Sequence, residues 1–146
     1  MDTKVVLGAG PLGTRLAELL RERGDRVRLY SVLENRAYDM PGTSPDHIDG
    51  RSQEALRSAL EGAGTVFLCL NAHYVDWEPL FPPVQEAVIE VAAEADAKII
   101  STDPVYVYGK ASGPINESLP MTAKDPAIGR LRADLAESLL AAHQAG

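Results

Sequence analysis

The run Lys4-Val5-Val6-Leu7-Gly8-Ala9-Gly10-Pro11-Leu12-Gly13 constrains the fold more than any other segment of the chain. A short β-type run leads into Gly-x-Gly-x-x-Gly, and a helical pattern opens directly behind it. The three glycines have separate jobs in such a context. Gly8 permits the tight turn off the strand, Gly10 leaves room for a diphosphate to approach the backbone, and Gly13 lets the helix pack against the strand. The helix N-terminus adds free N–H groups and the positive end of its dipole. The segment therefore points to a dinucleotide ligand, with Gly8, Gly10, Pro11, Leu12 and Gly13 as the residues that hold it. A turn with no ligand is the competing reading of the same glycines.

The rest of the chain alternates β-like runs with amphipathic helices. Lys4 to Leu7 is read as the first strand. Leu12 to Arg23 is read as a helix with Leu12, Leu16, Leu19 and Leu20 on one face, stopped by Gly24. Val27 to Tyr30 follows as a strand, and Ser31 to Pro45 as a loop. A short strand is expected before Asp49. Ser52 can cap a helix running to about Leu60, ended by Gly62 and Gly64. Thr65 to Leu70 is apolar throughout, as a central parallel strand buried on both faces would be. Val84, Ala87, Val88 and Val91 mark a helix, Lys98 to Ser101 a fifth strand, and Asp125-Pro126 the start of a last helix lined by Ile128, Leu131, Leu135 and Leu139. Such alternation makes right-handed crossovers. The expected fold is α/β, a doubly wound parallel sheet (Rossmann-like) of about five strands with helices on both faces.

In sheets of this kind ligands sit outside the carboxyl ends of the strands. The tip of the second strand reads the adenine ribose: an acidic residue favours NAD, and a nearby arginine favours the 2′-phosphate of NADP. Ser31 stands at that tip, with Glu34 and Arg36 following. Ser31 and Arg36 tilt the reading slightly toward NADP, with NAD as the alternative. Asp49 can accept from the adenine amino group, or it can simply form the turn before the next helix. Cys69, inside an apolar run, reads as a small buried hydrophobe. His73, Tyr74, Asp76 and Trp77 follow the central strand and either wall a pocket or pin the loop. His47, His73 and His143 are at no metal-ligand spacing, so no metal is expected.

Composition bounds the function classes. The chain has 146 residues, enough for one domain with a real core. Its net charge of −7, without a Lys/Arg cluster, argues against nucleic acid. No run is long enough to span a bilayer, so no membrane partner is expected. A single cysteine and no secretory signal point to a cytoplasmic protein.

These residues together resemble the extended short-chain dehydrogenase/reductase superfamily, of the NAD(P)-dependent epimerase/dehydratase type. The resemblance covers the whole chain. It rests on the Gly8 to Gly13 motif, on Asp49, on Leu70-Asn71-Ala72 after the fourth strand, on Val107-Tyr108-Gly109, and on Asn116-Glu117-Ser118-Leu119-Pro120. It implies that Leu70, Asn71 and Ala72 line the cofactor. Family members typically carry a Ser or Thr after strand five and a Tyr-x-x-x-Lys on the next helix. Here the Ser position falls on Pro104, the Tyr position on Ile128 and the Lys position on Arg132. Isoleucine cannot transfer a proton; Arg132 keeps a cation for a ribose or phosphate contact. Asp103 and Tyr106, beside His73, are then the polar candidates for chemistry at the strand ends.

The expectation is thus an NAD(P)-binding domain spanning 1–146, the N-terminal part of a longer epimerase/dehydratase- or reductase-like oxidoreductase. A non-catalytic dinucleotide sensor of the same fold is the alternative. The substrate is a small molecule the sequence does not name. An open fifth strand also predicts a homo-oligomer or marginal stability.

Overall fold

A computed structural model of the chain describes residues 3–32, 45–121 and 127–146. The elements run β1 (Thr3–Leu7), α1 (Pro11–Glu22), β2 (Arg26–Ser31), β3 (Asp46–His47), α2 (Gln53–Leu60), β4 (Ala63–Leu68), α3 (Trp77–Glu94), β5 (Lys98–Ser101) and α4 (Ala127–Ala145). Short 3₁₀ turns at Tyr74–Asp76 and Val105–Tyr108 follow β4 and β5. The described chain divides into two compact units. One takes Met1–Ala72 and Pro83–Thr102, the other His73–Pro82 and Asp103–Gly146.

All five strands lie in the first unit and pair in parallel, in the order β3-β2-β1-β4-β5. The chain winds outward from β1 through β2 to β3, then returns to the other side of β1. The order therefore reverses between β1 and β4, where a doubly wound sheet opens its ligand crevice. Right-handed crossovers place α1 on one face and α2 and α3 on the other. Ion pairing of Arg57 with Glu94, and a hydrogen bond from Gln53 to Glu90, tie α2 to α3.

The core follows the pleat. Val6, Leu29 and Cys69 pack with Ala9 and with Ala17 and Leu20 of α1, and Leu16, Val27 and Phe67 close the cluster. Val5, Leu7 and Val66 alternate to the opposite side and are fully buried, as are Leu56, Leu60, Val84, Val88 and Val91 on the covering helices, all at 1% exposure or less. Each such side chain contributes about 1.5–3 kcal/mol by leaving water.

Three boundaries differ from the sequence reading, each for a packing reason. Helix α1 buries Gly13, Thr14, Ala17 and Leu20, while Leu12 and Leu19 are 58% and 42% exposed. Gly13 and Ala17, small residues at i and i+4, bring the helix close to the sheet, so the bulky leucines at 12 and 19 fall outside the seam. Strand β4 ends at Leu68 rather than Leu70, and Gly64, expected to end the preceding helix, lies within it. Helix α3 begins at Trp77, well before Val84, and runs through Pro79, Pro82 and Pro83. The last two prolines remove N–H donors inside the helix. Burial of Trp77 and Phe81, 4% and 1% exposed, outweighs that loss.

In the second unit, α4 buries Arg132, Ala133 and Leu135, and Val107 is buried on the 3₁₀ turn. Of the leucines expected to line α4, Leu135 is buried and Leu131 and Leu139 are half-buried. The Asp125-Pro126 cap lies outside the described residues.

Candidate functional site

The glycine loop joins β1 to α1. Gly8 has φ +116°, a backbone conformation that favours glycine, and a Cβ there would overlap the Cys69 carbonyl oxygen. A Cβ on Gly13 would overlap the Gly8 carbonyl oxygen and lie 3.2 Å from Cys69 Cβ. Both glycines are thus required by the protein's own packing. Gly10 is different. Its backbone is ordinary, at φ −81° and ψ −176°, and a Cβ on it would meet nothing within 4 Å. It is the N-cap of α1 with no side-chain cap, and Pro11 opens the helix. Leu12 is largely exposed beside it.

The carboxyl end of β2 lies beside that of β3. Ser31 pairs with His47, and the Ile48 N–H donates to the Ser31 carbonyl at 3.0 Å. Ser31 itself is 6% exposed. Arg36 and Glu34, expected nearby from sequence, lie outside the described residues. Asp49 Oδ1 accepts from the Arg51 N–H at 3.0 Å and from Arg51 Nε at 3.1 Å. The backbone bond, aided by the side chain, holds the Asp49 carboxyl below its ordinary value. Asp49 therefore forms the turn ahead of α2, whose cap is Ser52: its Oγ accepts from the Ala55 N–H at 3.2 Å. After β4, Cys69 is buried and burial pushes its thiol up, against a hydrogen bond with Thr102. That suits a packing residue, not a nucleophile. Leu70 and Ala72 are half-buried, and the exposed Asn71 accepts its neighbour Ala72's N–H at 3.0 Å.

The second unit gathers a different set. Trp77 and Phe81, one turn apart on α3, hold the Arg132 guanidinium against their rings, with Cζ 4.0 Å and 4.4 Å from the centroids. Asp103 Oδ1 is 4.0 Å from Arg132 Nη1. Burial pulls the guanidinium down from its ordinary value, while Asp103 and then Tyr106 hold it up. The hydroxyls of Tyr74 and Tyr106 meet at 3.0 Å, and both rings tilt against Trp77 at 5.0 Å and 6.2 Å. That hydrogen bond, with the charge of Tyr106, pushes the Tyr74 phenol up.

Of the residues expected from sequence to carry chemistry, Asp103 and Tyr106 thus come together with Arg132, expected as a cofactor contact, while His73 is exposed at the start of a 3₁₀ turn. Sequence reasoning missed Phe81. Its signal was the i, i+4 spacing to Trp77, hidden by Pro79 between them and by Pro82 and Pro83 directly after. Among the described residues no group of three or more His, Cys, Asp or Glu gathers to hold a metal. No helix among them is long and apolar enough to cross a membrane.

No protein-family model matches the chain, and no curated protein matches it. Solved structures do. A UDP-glucose 4-epimerase from Thermus thermophilus, in complex with NAD, is 19% identical with a TM-score of 0.81, over 98% of this chain and 51% of that one. A dTDP-glucose 4,6-dehydratase from Bacillus anthracis, also in complex with NAD, is 14% identical with a TM-score of 0.82, over 99% and 51%. A short-chain dehydrogenase/reductase superfamily protein from Agrobacterium tumefaciens, with bound NAD, is 22% identical with a TM-score of 0.75, over 97% and 45%. The chain has the Rossmann fold found in these proteins, and it spans about half their length.

Proposed function

We propose that this chain is the NAD(P)-binding domain of an epimerase/dehydratase- or reductase-like oxidoreductase of the short-chain dehydrogenase/reductase type. The observation that carries the reading is Gly10. Neither its backbone nor its neighbours need a glycine, yet a side chain there would project into open space at the start of α1. A diphosphate on the helix N-terminus explains the missing Cβ. The residues of the first unit fit such a group: the glycine loop with Pro11 and Leu12 for the diphosphate, Ser31 and Asp49 for the adenosine end, and Leu70 to Ala72 along the exit of β4. The absence of an acidic residue at the tip of β2 supports NADP over NAD. A bound nicotinamide would supply or accept hydride, and Asp103 and Tyr106 are the proposed acid–base groups. Arg132 keeps the cation of the family's lysine position.

Fluorescence titration with NADPH and NADH tests the reading. Micromolar binding of at least one is expected, with NADPH the tighter. A chain that binds neither overturns it. The non-catalytic sensor remains a second reading because Pro104 and Ile128 occupy the usual Ser and Tyr positions. Hydride transfer to any of a panel of carbonyl compounds by the protein that carries this domain removes that reading. The single cysteine supports a cytoplasmic location. Among the described residues β5 is an edge strand and its Ile100 is 38% exposed, which supports a homo-oligomer.

A further inference from the structure

We propose that Arg132 is a receptor for the oxyanion of a small ligand, a carboxylate or a phosphate, and that Asp103 covers it until that ligand arrives. The inference stands on the second unit alone and does not depend on dinucleotide binding. Arg132 is 6% exposed, and its guanidinium is stacked on Trp77 and Phe81. The two ring centroids are 5.4 Å apart, so both rings lie to one side of the guanidinium, and its N–H groups on the side away from them are left for acceptors. Those acceptors are missing among the described residues. Nε is buried with no hydrogen-bond partner, and the one ion pair, to Asp103, is 4.0 Å long. A guanidinium that truly binds a carboxylate does so through parallel bonds of about 2.7–2.9 Å. An under-bonded buried cation is costly, so this one is held by its rings in readiness for a better acceptor than the described residues provide.

Asp103 is placed to give way. Its side chain is 28% exposed, so its carboxylate can turn into water when a ligand oxyanion takes its place. Its negative charge next to Arg132 also opposes that ligand. The two tyrosines beside the box, Tyr74 and Tyr106, are 56% and 43% exposed and offer an apolar surface for the body of the same ligand.

Trp77 is the only tryptophan in the chain, so its emission reports on this site. The test titrates that emission with sodium acetate and, separately, with inorganic phosphate, each against sodium chloride at matched ionic strength. The wild type, Asp103→Asn and Arg132→Gln are compared. A saturable change is expected with at least one anion, and the anion that gives it identifies the oxyanion class. The midpoint should fall about fivefold in Asp103→Asn, where the competing charge is gone. The response should vanish in Arg132→Gln. No saturable response in Asp103→Asn, a midpoint unchanged from wild type, or a response that persists in a folded Arg132→Gln protein overturns the proposal. Should Arg132→Gln fail to fold, the comparison of Asp103→Asn with wild type decides alone.

Discussion

Three glycines in six residues answer to three different constraints, and the difference is measurable residue by residue. Gly13→Ala forces a methyl group into the Gly8 carbonyl, in backbone that cannot yield as a flexible side chain would. It should cost about 1–3 kcal/mol or more and lower the melting temperature. Gly10→Ala puts its methyl into open space and should cost no more than the loss of a favourable N-cap residue, about 1 kcal/mol or less. Thermal denaturation of the two variants checks both. A second test at this scale concerns Tyr74. Its phenol is pushed up by the hydrogen bond to Tyr106 and by that residue's charge. Tyr106→Phe removes both causes, so Tyr74 should titrate at lower pH than in the wild type. Tyrosinate absorbance, compared among wild type, Tyr74→Phe and Tyr106→Phe, reads the shift. No downward movement in Tyr106→Phe would mean that the two hydroxyls are not paired in solution.

Elements show where pattern suffices and where packing overrides it. Helix α2 is legible from its ends because Ser52 makes the expected cap. Ser52→Ala should therefore cost about 1 kcal/mol, read as a shift in the urea midpoint. In α1 the existence of the helix is legible, and its buried face only in part. Of the leucines at 12, 16, 19 and 20, Leu20 is buried and Leu16 packs against the core, but Gly13 and Ala17 complete the seam and Leu12 and Leu19 lie outside it, because the helix packs closely on the sheet. Leu20→Ala should accordingly cost about 2–5 kcal/mol and Leu19→Ala far less. Chemical denaturation separates them, and equal losses would place the seam wrongly. Helix α3 is the hardest case. Three prolines read as a loop before Val84, and only the burial of Trp77 and Phe81, a tertiary fact, extends the helix through them.

At the scale of the whole molecule, the parallel doubly wound sheet was legible because each strand and helix in the first unit carries its own period and its own stop. The strand order, with its reversal between β1 and β4, was not legible: crossover handedness fixes the face each helix covers, not which strands become neighbours. The glycine loop was legible for the same reason as the sheet: its requirements are local. The aromatic box around Arg132 was not. It joins α3, α4 and the segment after β5, whose residues are distant in sequence, and no local period announces that a guanidinium will be buried against two rings. The sequence positions of Asp103, Tyr106 and Arg132 singled them out one by one, but their proximity came only with the fold.

On the proposed reading Gly10 is kept bare for a dinucleotide. Isothermal calorimetry with NADPH and NADH is compared on wild type and Gly10→Val, with melting temperature measured on both proteins. Wild type is expected to bind, and Gly10→Val to lose at least about tenfold in affinity through steric exclusion of the diphosphate, with a melting temperature lowered by no more than loss of a favourable N-cap explains. Equal affinity in the two proteins, or no binding of either dinucleotide by wild type, would contradict it.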